Sequence, residues 1–229
     1  MKCFHLRVSK KRRPLETSYT MLDHTLEKVD HYPYLGVEIS SDLNWNHHVA
    51  KMAGKAQRAL GFIRRNLYNT PQQIKVQMYQ ALIRPHLEYC SSAWDPYTDK
   101  NISQIEMIQR RAARFVTGIY SREPGTVTKI MDDLEWPTLQ QRRKVSRLGL
   151  LYKTINNEVA IDLPEYIQRH ARNTRQTHDQ TFLQVRSRTK VHQNSFFPRT
   201  IKEWNDLPPD ILTVGTASQF RTAVSSYIH

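Results

Sequence analysis

The stretch Tyr34-Leu35-Gly36-Val37-Glu38-Ile39, followed at once by Trp45 and a long basic segment, decides how this chain is read. Leu35, Val37 and Ile39 alternate with Gly36 and Glu38, the period of a strand with one buried face. Six such residues make an ordinary edge strand, but Gly36 sets this one apart. A glycine within a strand weakens it and marks a bulge, or a place where another backbone or a ligand approaches closely. Upstream, residues 1–32 hold the basic run Lys10-Lys11-Arg12-Arg13, then Pro14 and a short strand pattern near residues 18–22. The run reads as a solvated loop or, alternatively, as a localisation signal.

From residue 46 the period changes from two to that of a helix. Val49, Met52, Ala53, Ala56, Leu60, Ile63 and Leu67 recur at spacings of three and four, which predicts a helix over 46–67 with Asp42 or Asn44 as cap. Its opposite side carries Lys51, Lys55, Arg58 and Arg65, with Phe62 set among them. A basic helix face is solvated by default, yet an aromatic ring among cations is also the arrangement that tracks a phosphate backbone and offers a stacking surface. Thr70-Pro71-Gln72-Gln73 reads as a helix start, with Thr70 capping, Pro71 in the first position and Gln73 closing a capping box. That helix is expected to turn Ile74, Met78 and Leu82 inward until Pro85 stops it.

Residues 86–96 read as a further buried helical segment with a turn at Asp95-Pro96. A helix over 101–117 places Ile105, Ile108, Ala112, Phe115 and Val116 inside and Arg110, Arg111 and Arg114 outside, and Gly118 ends it. Trp136-Pro137 introduces another, to residue 155, with Val145, Leu148, Leu151, Tyr152 and Ile155 inward and Arg142, Arg143 and Lys153 outward. Residues 156–195 are polar and poorly periodic, a basic linker with one short strand at 182–185. The expected fold is mainly α: short N-terminal strands or a hairpin over 1–44, a helical bundle over 45–120, a helical connection over 121–157, the linker over 158–194 and a small helical C-terminal cap over 195–229.

Composition narrows the function. Lys and Arg number 34 against 21 Asp and Glu, a formal charge of +13 with a pI near 9.9, which favours a polyanionic partner such as nucleic acid. Cys3 and Cys90 are the only cysteines, too few for a disulfide framework or a cysteine-rich zinc site, and the expected location is intracellular, cytoplasm or nucleus, with no membrane span. Gly-rich phosphate loops, Gly-x-Ser-x-Gly elbows and His-Glu-x-x-His are absent from the sequence. His47 and His48 are adjacent, so their side chains diverge on a helix, and a helix-start or surface role is expected for them. Asp132-Asp133 lacks strand-turn-strand flanks and reads as a surface pair or helix end rather than as a two-metal site. No catalytic or metal-binding residue is assigned.

Several motifs together resemble one family. Tyr34-Leu35-Gly36-Val37, Leu43-x-Trp45-x-x-His48, Arg65-Asn66-Leu67, Tyr79-x-x-Leu82-Ile83-Arg84-Pro85-x-Leu87-Glu88-Tyr89-Cys90, Trp94-Asp95-Pro96 and Gln109-Arg110-Arg111-Ala112-Ala113-Arg114 resemble the thumb and C-terminal region of jockey-like, LINE-type non-LTR retrotransposon reverse transcriptases. Ser195-Phe196-x-Pro198-Arg199 with Trp204-Asn205-x-Leu207-Pro208 resembles their closing segment.

The resemblance implies a palm-end strand or hairpin giving Tyr34, Leu35 and Gly36 a primer-grip role. It also implies a helical thumb holding a template–primer duplex by phosphate contacts from Lys51, Lys55, Arg58, Arg65, Arg110, Arg111 and Arg114, with Phe62 stacking. The family's aromatic-Ala-Asp-Asp turn does not occur in the sequence, so the chain is expected to be a nucleic-acid-binding fragment without polymerase activity of its own. Its cofactor expectation is none, magnesium belonging to the palm. Self-association through the exposed palm face is a further expectation. The alternative reading is a non-enzymatic structural or protein-interaction module from a degenerate element.

Overall fold

The computed structural model describes residues 3–9, 17–170 and 179–228. The basic run at 10–13 and the 171–178 part of the expected linker lie outside the described residues. Strand β1 (Phe4–Leu6) pairs in parallel with β4 (Glu27–Val29), and between them β2 (Thr20–Met21) and β3 (His24–Thr25) form a small hairpin. Next, β5 (His31–Tyr34) and β6 (Val37–Ser40) pair antiparallel with Tyr34 opposite Val37.

Leu35 and Gly36 alone connect β5 to β6, and both have positive φ, 46° and 84°. Two consecutive left-handed residues in a two-residue loop match the right-handed twist of the strands they join. The continuous strand expected over 34–39 is therefore corrected to a hairpin turn, and Gly36 is required by its φ. The expected alternation fails with it: Leu35 points out at the tip, while Val37, Glu38 and Ser40 are all buried.

The helices follow: α1 (Asn46–Asn66), α2 (Gln72–Met78), a π-helical turn (Tyr79–Ile83), α3 (Arg84–Glu88), α4 (Asp99–Thr117), α5 (Thr126–Asp133), α6 (Leu139–Ile155), α7 (Lys190–Gln193), α8 (Phe196–Asn205), α9 (Pro209–Leu212) and α10 (Ala217–Ile228). This is the mainly helical body with short leading strands that the periodicity predicts. In α1 every stripe residue from Val49 to Ile63 is buried, and Asn44, not a formal cap, accepts from the Asn46 amide at 2.9 Å. Gly118 ends α4 at φ 73°, its amide donating to the Arg114 carbonyl. The capping box sits at Thr138 and Gln141 ahead of α6. At Thr70 there is none: its hydroxyl donates to the Leu67 carbonyl at 2.8 Å, leaving α2 without a side-chain cap.

The π turn changes which residues face inward. Arg84 N–H bonds to the Tyr79 carbonyl, five residues back, so one extra residue enters the helix and its stripe slips. Tyr79, Ile83 and Leu87 are buried, whereas Ile74 and Leu82 are exposed, against expectation. The helix also runs past Pro85, which occupies the first turn of α3, where a missing amide is tolerated. Residues 89–93 turn rather than continue as a helix.

Two cores result. The first joins Val37, α1, the π turn, α3, Trp94 and α4 to Leu139; the second joins Val145, Leu148, Leu151 and Tyr152 to α8, α10, Ile167 and Phe182. Helix α6 thus enters both. Phe182 reaches the second core through a single bridge to Arg169 rather than the strand expected over 182–185. Truncating a fully buried Leu60 or Leu148 to Ala costs about 2–5 kcal/mol.

A buried charge cluster joins the cores. Arg143 Nε lies 2.8 Å from Asp95 Oδ1, Arg199 Nη1 lies 3.1 Å from Asp95 Oδ2, Arg147 pairs with Asp95 through Nη1, and Arg147 Nη2 lies 2.6 Å from Glu203. Arg143, expected to face outward, is 0% exposed. Burial pushes its pKa down to about 10 and lowers those of Arg147 and Arg199. Both amino groups of Arg143 lack a hydrogen-bond partner, and Asp95 is its ion-pair partner among the described residues.

Candidate nucleic-acid interface

Helix α1 carries Lys51, Lys55, Arg58, Arg64 and Arg65 and no Asp or Glu anywhere along its 21 residues. Its apolar stripe is fixed against α4, so the cations must lie on the outside. Arg58, Arg64 and Arg65 are exposed, Lys55 is half-buried, and Phe62 stands among them 54% exposed. Arg58 folds back over Gly54 and Arg65 over Gly61: a Cβ added at Gly61 would meet Arg65 Nη1 at 3.4 Å. The two guanidiniums therefore lie one turn nearer the N-terminus than their Cα atoms, as helical side chains lean. The result is a row of cations close to the helix axis around one open ring. Arg64 is exposed too, but it lies beside the apolar stripe, about 160° around the helix from Phe62, and does not join the row.

Lys51 stands apart from that row. Its ammonium pairs with Glu38 of β6, a buried carboxylate, which ties the hairpin to α1. The Glu38 amide donates to His48 Nδ1 at 3.2 Å, and His48 is enclosed between the rings of Trp45 and Trp94. Burial pushes the His48 pKa down to about 4, against the weaker pull of Glu38. The expected surface role is corrected for His48, which is a neutral core residue; His47 does remain outside, stacked on His31 with ring centroids 4.5 Å apart.

On α4 the three arginines separate. Arg111 Nη1 donates to Gln57 of α1 at 3.1 Å, on a side of that helix about 140° around from Phe62, so it does not join the row. Arg114 is half-buried with its Nε unpartnered. Arg110 lines a different cleft with Glu106, Asp132 and Glu135, among carboxylates, and does not join the row.

At the hairpin tip Tyr34 is 61% and Leu35 74% exposed, and Tyr89 covers Gly36, where an added Cβ would meet its ring at 3.1 Å. The close approach expected at Gly36 is thus made by a tyrosine of the same chain. Tyr89 was missed as a partner; its place next to the quoted Glu88 was the only signal. Among the described residues no group of three or more His, Cys, Asp or Glu could hold a metal ion, and no helix is long and apolar enough to cross a membrane. Comparison of the chain with family models, curated proteins and solved structures finds no match.

Proposed function

We propose that the chain binds nucleic acid, gripping a template–primer duplex along the outer face of α1. The observation that carries this is the carboxylate-free row of Lys55, Arg58 and Arg65 around the open ring of Phe62. Such a row suits sequence-independent phosphate contacts, which fix position and release counterions. The resemblance to jockey-like reverse transcriptases supports a thumb-like holding role, with Tyr34 and Leu35 presented at an exposed hairpin tip where a primer-grip role puts them. Arg111 and Arg110 are left out of the row.

The test is duplex affinity measured across a salt series. Each phosphate contact contributes about 0.9 to the slope of log affinity against log salt, so the triple variant Lys55→Gln, Arg58→Gln, Arg65→Gln should flatten it by about 2–3. Helix content should hold, because Gln is nearly as good a helix former as Lys or Arg. Replacement of Phe62 by Leu should leave the slope intact and weaken single-strand binding by about 1–3 kcal/mol if the ring stacks on a base. Unchanged slope and affinity in the triple variant would sink the proposal.

A second reading, an interaction module that associates with itself or another protein, has its own observation. Tyr34, Leu35 and Tyr89 form an exposed apolar group at the hairpin tip. Size-exclusion chromatography over a concentration series tests it: a monomer at every concentration that is indifferent to Leu35→Ser counts against self-association there.

A further inference from the structure

The cleft between α6 and α10 shares no residue with the α1 row and is built from different chemistry. Its volume is about 410 Å³, within the range of nucleotide-sized ligand sites. One wall is α10, whose Phe220 and Val224 are fully buried in the second core, so that Ser218, Thr222 and Ser225, four and three residues apart, turn together into the cleft. Helix α10 has no Asp or Glu. The facing wall supplies Ser146 and Arg142 from α6. Arg221 is exposed, without an ion pair among the described residues, where this cleft runs into a neighbouring one that adds Lys153.

The cleft holds one carboxylate, Glu88, and it is already neutralised. Arg142 Nη2 donates to Glu88 at 3.1 Å, and Arg84 Nε lies 3.5 Å from the same side chain. Two guanidiniums on one carboxylate leave the wall positive, and Arg221 adds a charge. Donors therefore converge from two helices, hydroxyls on both sides and the Arg221 guanidinium. A carboxylate ligand with two oxygens would leave several of them idle. A phosphate group, with three non-bridging oxygens, matches both the number and the sign.

We infer that this cleft binds a phosphate group, with Arg221 as the primary charged contact, Arg142 as a second, and the hydroxyls of Ser218 and Ser225 as donors, the Thr222 hydroxyl already donating to the Ser218 carbonyl. The room beyond the phosphate fits the remainder of a nucleotide. That group belongs either to a free nucleotide or to the phosphorylated end of a nucleic-acid strand, which present the same chemistry.

The experiment uses the full chain labelled with nitrogen-15 at constant ionic strength. Inorganic phosphate is titrated first, then adenosine monophosphate, then a 5′-phosphorylated oligothymidylate beside its dephosphorylated form. Saturable shifts of the Ser218, Thr222 and Ser225 amides are expected, weakened about tenfold in Arg221→Gln, as loss of a charge-assisted hydrogen bond implies. Tighter binding of the mononucleotide identifies a free nucleotide as the source, and a preference for the phosphorylated oligonucleotide identifies a strand end. Absence of saturable shifts, or shifts of equal strength in Arg221→Gln, overturns the inference. Arg221 is exposed, so the variant is expected to fold, and its salt slope on duplex should match the parent, keeping this test separate from that of the α1 row.

Discussion

The phenolic hydroxyl of Tyr89 donates a hydrogen bond to the main-chain carbonyl of Leu35, 3.1 Å away and 54 residues earlier in the chain. The tyrosine is itself anchored, because Trp94 Nε1 donates to its carbonyl at 2.7 Å. A leucine at φ 46° is held in a region that side chains with a Cβ rarely occupy. A residue from the base of the helical body thereby steadies the strained tip of the hairpin. Two substitutions separate the contributions. Gly36→Ala adds a Cβ in a left-handed conformation and drives it against the Tyr89 ring, and should cost about 1–3 kcal/mol in urea unfolding. Tyr89→Phe removes only the hydrogen bond and should cost about 0.5–1 kcal/mol while raising amide exchange at Gly36 and Val37. Equal costs for the two would refute this division.

Lys51 and Lys55 look alike on a helical wheel but do different things. Lys51→Gln leaves the Glu38 carboxylate buried without its cation and should destabilise the fold by about 1–3 kcal/mol. Lys55→Gln touches no partner and should stay within about 0.5 kcal/mol of the parent. Urea midpoints for the two single variants decide it, and the reverse ranking would contradict the placement of Glu38.

His48 makes stability depend on pH with a definite sign. Its folded pKa, about 4, lies below the ordinary 6.5 of the unfolded chain, so the unfolded state takes up the proton first. The stabilisation from keeping it neutral is complete above pH 6.5 and is lost as the pH falls toward 4. Between pH 7 and 4.5 the loss is about 2–3 kcal/mol. His48→Asn keeps an acceptor for the Glu38 amide and should remove most of the dependence in that window. Parallel stability–pH curves for parent and variant would rule His48 out as the source.

The helices were legible where one rule governed them. Val49 to Ile63 repeat at helical spacing over about four turns, and Gly118 is the residue a left-handed helix end selects, so α1 and α4 follow from pattern alone. The hairpin tip was not legible because leucine seldom takes positive φ, and Leu35 does so only with the support of Tyr89 from far along the chain. Leu82 was assigned inward by counting in steps of four from Met78, a count that the extra residue of the π turn breaks; Ile74 precedes that turn, and its exposure has no such explanation. Arg143 sits in a slot that sequence periodicity treats as polar and outward. Its burial depends on Asp95, 48 positions away, and nothing local announces that. The basic row needed only helical geometry and was largely visible; the separation of Arg110 from Arg111 needed the neighbouring carboxylates.

The Asp95 cluster is expected to respond asymmetrically. Three guanidiniums share Asp95, with Glu203 serving two of them, so Asp95→Asn should destabilise by about 3–5 kcal/mol, the cost of stranding buried charge. Arg143→Met removes a cation whose amino groups are unpartnered and leaves Asp95 with two others, so it should change stability by no more than about 1.5 kcal/mol. Thermal unfolding of the two variants measures this, and comparable losses in both would show that Arg143 is as necessary as its carboxylate.

The π turn at Tyr79–Ile83 also determines where this chain can tolerate length changes. One residue more or less in a helix rotates everything after it by about 100°. Deleting Ala81 would restore a plain helix and swing Leu87 out of the first core, with Glu88 turned away from Arg142 on α6. A one-residue edit there would be transmitted as a rotation to the far end of α3, whereas the same edit in the loop at 156–166 would be absorbed where it fell. The length of this short segment is therefore more tightly constrained than the identity of its side chains.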